Sequence, residues 1–172
     1  AGHFPFSARR TAPTVAAVNG HAFGIGGILA LAHDLRVMRS DRGWFCLPEV
    51  DLGLWPFMVS ALLGRHVSPK RAMEMMLSAR RVPAAEALEM GLVSRVVSDL
   101  PAETAALAAA LAEKPPVAVR LGKAAFHAAM ESSLAAGLEA MQAQLSLLNT
   151  TQDTKEGVTA FLEKRKPVWK GR

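Results

Sequence analysis

The run Pro13 to Gly27, P-T-V-A-A-V-N-G-H-A-F-G-I-G-G, joins a short apolar stretch to a glycine-dense turn and then to a helical pattern. Gly24, Gly26 and Gly27 admit conformations and close approaches that a side chain would block, so bare backbone can face a ligand there. Amide N–H groups in the first turn of a helix have no intrahelical partner and stand at the positive end of its dipole, which favours a developing anion. The chemistry on offer is main-chain stabilisation of an oxyanion. A glycine-rich turn between strand and helix also serves plain tight packing, and the turn taken alone favours that use. Gly24 and Gly26 match the first two glycines of G-x-G-x-x-G, but Leu29 stands at the third, which argues against a dinucleotide fingerprint. No G-x-x-x-x-G-K-[ST] loop occurs, so nucleotide hydrolysis has no support.

A second segment, Leu47-Pro48-Glu49-Val50-Asp51-Leu52-Gly53, carries two carboxylates. On position alone Glu49 reads as an ordinary exposed carboxylate near a strand end. In an extended segment Asp51 would share a face with it, as a fallback acid or a supporting charge. Other reactive side chains have plainer uses. His33 and Asp34 close a helix, where histidine suits the dipole and aspartate suits a turn. His21 reads as packing beneath the glycine turn. His66 and His127 lack ligand-spaced partners, so no metal site is expected. Met73, Met75, Met76 and Met90 read as core filler or the lining of a flexible apolar pocket.

The elements that must position these residues alternate between strand and helix, which predicts an α/β layered core. A strand near Thr14 to Val18 leads to a helix from about Gly26 to Ala32, then an extended run Leu35 to Met38. Ser40 to Gly43 is a turn signal, and Trp44-Phe45-Cys46 a short strand before Pro48. Pro56 and Pro69 each stand where a helix can begin, ahead of Phe57 to Leu63 and Lys70 to Leu77. Val93 to Val97 is a last strand. From Pro101 onward the pattern is alanine-rich helix. There Leu134, Leu138, Met141, Leu145 and Leu148 recur at spacings of four, three, four and three, one stripe of a helix that something must cover. Packing within the subunit and a subunit interface both satisfy that periodicity. The expected division is therefore an α/β core over 1–100 and a helical region over 101–172.

With 172 residues, 51% hydrophobic and 20% charged, the chain can bury a core of ordinary size. Its apolar stretches are too interrupted to span a bilayer, and no signal segment is visible, so neither a membrane role nor export is expected. The lone Cys46 has no internal disulfide partner, which suits a cytoplasmic protein. A formal charge of +5 tolerates an anionic partner. The basic residues are scattered and tyrosine is absent, so nucleic acid ranks low. Much of the excess lies in the final segment, at Lys164, Arg165, Lys166, Lys170 and Arg172.

Three segments together resemble the crotonase superfamily, the enoyl-CoA hydratases and isomerases. A-A-V-N-G-H-A-F-G-I-G-G is similar to its oxyanion-hole segment, Leu47 to Gly53 to the segment bearing a catalytic glutamate, and Glu156 to Gly171 to its tail. Ala84 to Val93 adds to the match, and the order covers nearly the whole chain. The resemblance implies a spiral of ββα units followed by C-terminal helices that build a trimer or a dimer of trimers. It also implies an acyl-CoA substrate, with coenzyme A entering as part of that substrate and no separate cofactor. Members of the superfamily are longer at the N-terminus, where they carry further strands and the other oxyanion donor. Only twelve residues precede Pro13 here, and Ala1-Gly2 lies too close to it to supply that donor. The expectation is a fragment, a dropped stretch, or a hole with one half absent.

By the same resemblance the backbone amide of Ile25 is the oxyanion donor, flanked by Gly24 and Gly26, and Glu49 is the base. Removing one such donor typically costs roughly 3–4 kcal/mol of transition-state stabilisation. A carboxylate beside an acyl tail is poorly solvated, which makes it a better proton carrier near neutrality. Ile28 stands where hydratases carry a second glutamate. Adding water needs two acid/base groups, whereas shifting a double bond needs one, so an enoyl-CoA isomerase is favoured over a hydratase. A non-catalytic acyl-CoA-binding trimer is the other alternative. Ile28, Trp55 and Phe57 are expected to line the acyl chain, and Phe161 and Lys164 to approach the nucleotide end of coenzyme A, in some members from a neighbouring subunit.

Overall fold

The computed structural model describes residues 11–172, so Ala1 and Gly2 lie outside the described residues. The chain forms two compact units: one is Thr14–Ala110, and the described residues of the other are 11–13 and 111–172. The boundary expected at residue 100 falls at the start of a helix, Leu100–Ala112, and the units divide near that helix's end.

The first unit runs β1 (Val15–Val18), β2 (His21–Phe23), α1 (Ile25–Leu31), β3 (Leu35–Arg39), β4 (Trp44–Cys46), a 3-10 helix (Pro48–Leu52), α2 (Phe57–His66), α3 (Pro69–Ser78), β5 (Val82–Pro83), α4 (Ala84–Glu89), β6 (Arg95–Val97) and α5 (Leu100–Ala112), whose last two residues belong to the second. Twice the chain lays one strand in each of two three-stranded sheets before turning helical. β1, β3 and β6 form a parallel sheet with Val15 opposite Leu35 and Met38 opposite Val96. In the other sheet β2 pairs parallel and β5 antiparallel with β4, Phe23 opposite Cys46 and Phe45 opposite Val82. This is the expected α/β spiral of ββα units. Met38, Leu63, Met75 and Leu92 are fully buried in its core.

Several local expectations change. β2 and β5 were not anticipated, because strands of three and two residues are too short for a period to show. The Glu49 segment is helical rather than extended, with Pro48 at its first position and Gly53 closing it at φ 72°. At three residues per turn Glu49 and Asp51 no longer share a face. His21 is exposed rather than tucked under the turn, its ring 4.3 Å from that of Trp44. Met75, Met76 and Met90 are core, but Met73 is 46% exposed because α3 turns Ala72, Met75 and Met76 inward.

The second unit holds α6 (Pro116–Met130), α7 (Leu134–Asn149) and α8 (Gln152–Leu162). α6 and α7 pack together. Beyond α8 the chain is strapped back: Arg165 pairs with Glu156 at 2.6 Å, the Trp169 indole N–H donates to Glu113 O at 2.8 Å, and the buried Asp153 accepts from the Lys170 and Gly171 amides. Among the described residues no helix is long and apolar enough to cross a membrane.

Candidate active site

β2 delivers the backbone to Gly24, which adopts φ 41° and ψ −109° as the N-cap of α1. Its N–H donates to Cys46 O and its carbonyl accepts from Ile28 N, both at 3.0 Å, so the turn is tied to β4 on one side and to α1 on the other. The Ile25 and Gly26 amides then open the helix, where no intrahelical acceptor exists. The Ile25 side chain is 74% exposed, and a Cβ at Gly26 would meet nothing within 4 Å.

Glu49 rises from the first turn of the 3-10 helix directly against this glycine. A Cβ placed on Gly24 would stand 2.8 Å from Glu49 Oε1. The other oxygen, Oε2, is buried and has no hydrogen-bond partner among the described residues; the same holds for Thr104 Oγ1 and Gln144 Oε1 elsewhere, but Oε2 alone of the three belongs to a carboxylate. A buried carboxylate oxygen left unpaired is costly in a fold. Two expected site residues, apart in sequence, are thus brought together, and only a glycine at position 24 fits both the backbone turn and the carboxylate.

Ile28 lies one turn into α1, buried with Val18, Ala22 and Leu31, and α1 has no acidic residue in its first turn. Trp55 is half-buried against the core, whereas Phe57 at the head of α2 is exposed. Leu52, Leu54 and Met58 are exposed beside it. They were missed from sequence, although the density of apolar residues in L-G-L-W-P-F-M around Gly53 was a usable signal. Also missed was the Cys46 carbonyl that anchors Gly24. The Cys46 thiol donates to Ala79 O at 3.0 Å, and burial pushes its pKa up, with Arg81 opposing and Glu49 and Asp51 adding to the shift. Phe161 and Lys164 belong to the other unit, exposed at the end of α8. Among the described residues no group of three or more His, Cys, Asp or Glu side chains could hold a metal ion.

Residues 8–172 match the family model for enoyl-CoA hydratase/isomerase. The chain is 41% identical over 163 residues to a 2,3-dehydroadipyl-CoA hydratase of Escherichia coli, covering 93% of this chain and 64% of that protein. To a carnitinyl-CoA dehydratase of Proteus mirabilis it is 39% identical over 167 residues, with 93% and 64% covered. A crystal structure of an enoyl-CoA hydratase from Geobacillus kaustophilus superposes with a TM-score of 0.90 at 43% identity, covering 96% of this chain and 65% of that one. One from Bacillus anthracis gives 0.92 at 34% identity, with 96% and 65% covered. The chain spans less than two thirds of the length of these curated relatives. With the family model matched along nearly its whole length, the chain belongs to the enoyl-CoA hydratase/isomerase family, within the crotonase superfamily.

Proposed function

We propose that this chain carries the working centre of an enoyl-CoA isomerase that converts a β,γ-unsaturated acyl-CoA to its α,β isomer. The Glu49 carboxylate takes a proton from the carbon next to the thioester. The electron pair left behind spreads into the carbonyl, whose oxygen gains charge and accepts a hydrogen bond from the Ile25 amide. The same carboxyl then returns the proton two carbons further on, and the double bond ends in conjugation with the thioester. No water and no second acid/base group is consumed. The observation that carries this reading is Glu49 itself: one oxygen against Gly24, the other buried and unpaired, and no carboxylate on α1 to share the work.

Ile28, Trp55 and Phe57 bound the acyl chain in this proposal, and coenzyme A comes in as part of the substrate. Phe161 and Lys164 reach its nucleotide end, from the same subunit or a neighbour. The α7 stripe, with Leu134 81% and Leu138 61% exposed, supports assembly as a homotrimer or dimer of trimers. An intracellular, cytoplasmic setting suits an acyl-CoA substrate and a lone cysteine.

Hydration of an α,β-enoyl-CoA is the second reading, favoured by the hydratase and dehydratase names of the relatives. The test is incubation with a β,γ-enoyl-CoA while following conjugated-thioester absorbance, beside a hydration assay. The expected result is isomerisation that falls about a hundred- to ten-thousand-fold in Glu49→Gln, the usual worth of one acid/base group. Robust hydration would replace the isomerase by a hydratase. Acyl-CoA binding with neither activity, in both proteins, would leave a non-catalytic binding protein.

A further inference from the structure

The second unit contains an open cavity of about 340 Å³ in which the Glu49 centre has no part. Its walls are the end of α5 at Leu111, the first turn of α6 at Pro116 and Val117, residues 11–13, and Gly171 of the strap. Among the described residues, the cations that border it are Lys114 and Arg120, and no carboxylate lines it. Neither cation has an ion-pair partner among the described residues. Arg165 of the same unit, by contrast, is paired to Glu156 and Glu163. The volume lies at the lower end of the range for small-molecule sites, about 300–1,000 Å³.

We propose that this cavity binds a small amphipathic organic anion, with its apolar body on Leu111, Pro116 and Val117 and its carboxylate or phosphate between Lys114 and Arg120. The hollow is held open by the strap: Asp153 fixes the Gly171 amide at 3.0 Å, and Trp169 is tied to Glu113. Across α6, Lys123 Nζ donates to Ala12 O at 3.0 Å and holds the opposite wall.

Calorimetric titration with hexanoate, hexyl phosphate, inorganic phosphate and hexanol tests the proposal on the whole chain. Hexanoate and hexyl phosphate are expected to bind, whichever head group is preferred. The doubly substituted Lys114→Gln, Arg120→Gln protein should bind them at least about tenfold more weakly, as for loss of charge-assisted contacts. Both positions are exposed, and circular dichroism checks that the variant is folded. Glu49→Gln should bind the anions as the unaltered protein does, which separates this site from the proposed isomerase centre. Hexanol binding as well as hexanoate, inorganic phosphate binding as well as hexyl phosphate, affinity unchanged in the double variant, or no binding at all would each overturn it.

Discussion

Gly24 carries two demands at once. Its φ of 41° with ψ −109° lies outside the left-handed helical region, in backbone space that costs a side chain roughly 1–3 kcal/mol, and the missing Cβ leaves room for Glu49 Oε1. Gly24→Ala is therefore expected to lower stability by about that amount and to push the carboxylate off its position. The kcat of the proposed isomerisation should fall further than the shift in urea midpoint accounts for, and a crystal structure of the variant would show Glu49 displaced. Glu49 and Ile25 were legible because each sits in a recognisable run of neighbours. Their closeness was not, since it depends on a 3-10 turn that nothing in P-E-V-D-L announces. His66 offers a second residue-level prediction. Burial first, and the Arg36 guanidinium 3.4 Å from its Nδ1 second, hold its pKa at about 4 against an ordinary 6.5. The unfolded chain takes up the proton first as pH falls, so stability is full above about 6.5 and declines between 6.5 and 4, by up to about 3 kcal/mol. Urea midpoints measured across that range should slope more steeply in the unaltered protein than in His66→Asn; parallel curves would refute the assignment.

Elements were legible where they were long or punctuated by proline. Pro69 begins α3 as its position suggested, Ser68 caps it by accepting from Arg71 N, and Pro56 immediately precedes α2. β2 hid between two glycines, because three residues pair with β4 through backbone groups that leave no periodic trace. Arg36 was invisible for a related reason. The residue is 5% exposed, and its guanidinium donates to the carbonyls of Leu31, His33 and Leu92 and so ties the end of α1 to the turn after α4, through acceptors that side-chain identity does not reveal. The same logic applies to helix ends. α3 stops at Ala79, φ 48°, a left-handed position that normally goes to glycine. Ala79→Gly is expected to stabilise the protein by about 0.5–1 kcal/mol, the relief of the Cβ clash less the added freedom of the unfolded chain. A rise in the thermal midpoint checks this. A fall would mean that the Cys46 thiol, which donates to Ala79 O, needs the tighter backbone that alanine provides.

At the scale of the whole molecule, the alternation of strand and helix and the alanine-rich end were enough to anticipate an α/β core and a helical region. The strap was not, because Asp153 reaches backbone amides of Lys170 and Gly171 that any residue except proline would offer. The leucine stripe of α7 was legible as a face needing cover, and the structure sharpens the question. Leu134, Leu138 and Leu145 are 81, 61 and 50% exposed within a single chain, too much contiguous apolar surface for a helix that has found all its partners. Burying a leucine fully contributes about 1.5–3 kcal/mol, so a stripe repeated in each subunit can hold an assembly together. Leu138→Glu places a charge in the middle of that face and should shift sedimentation from the proposed trimer or dimer of trimers toward the monomer, while circular dichroism still reports the native helix content. Leu147, half exposed on the same helix but outside the stripe, provides the control: Leu147→Glu should leave the sedimentation coefficient where it was. If both substitutions act alike, or neither does, the stripe is not what joins the subunits.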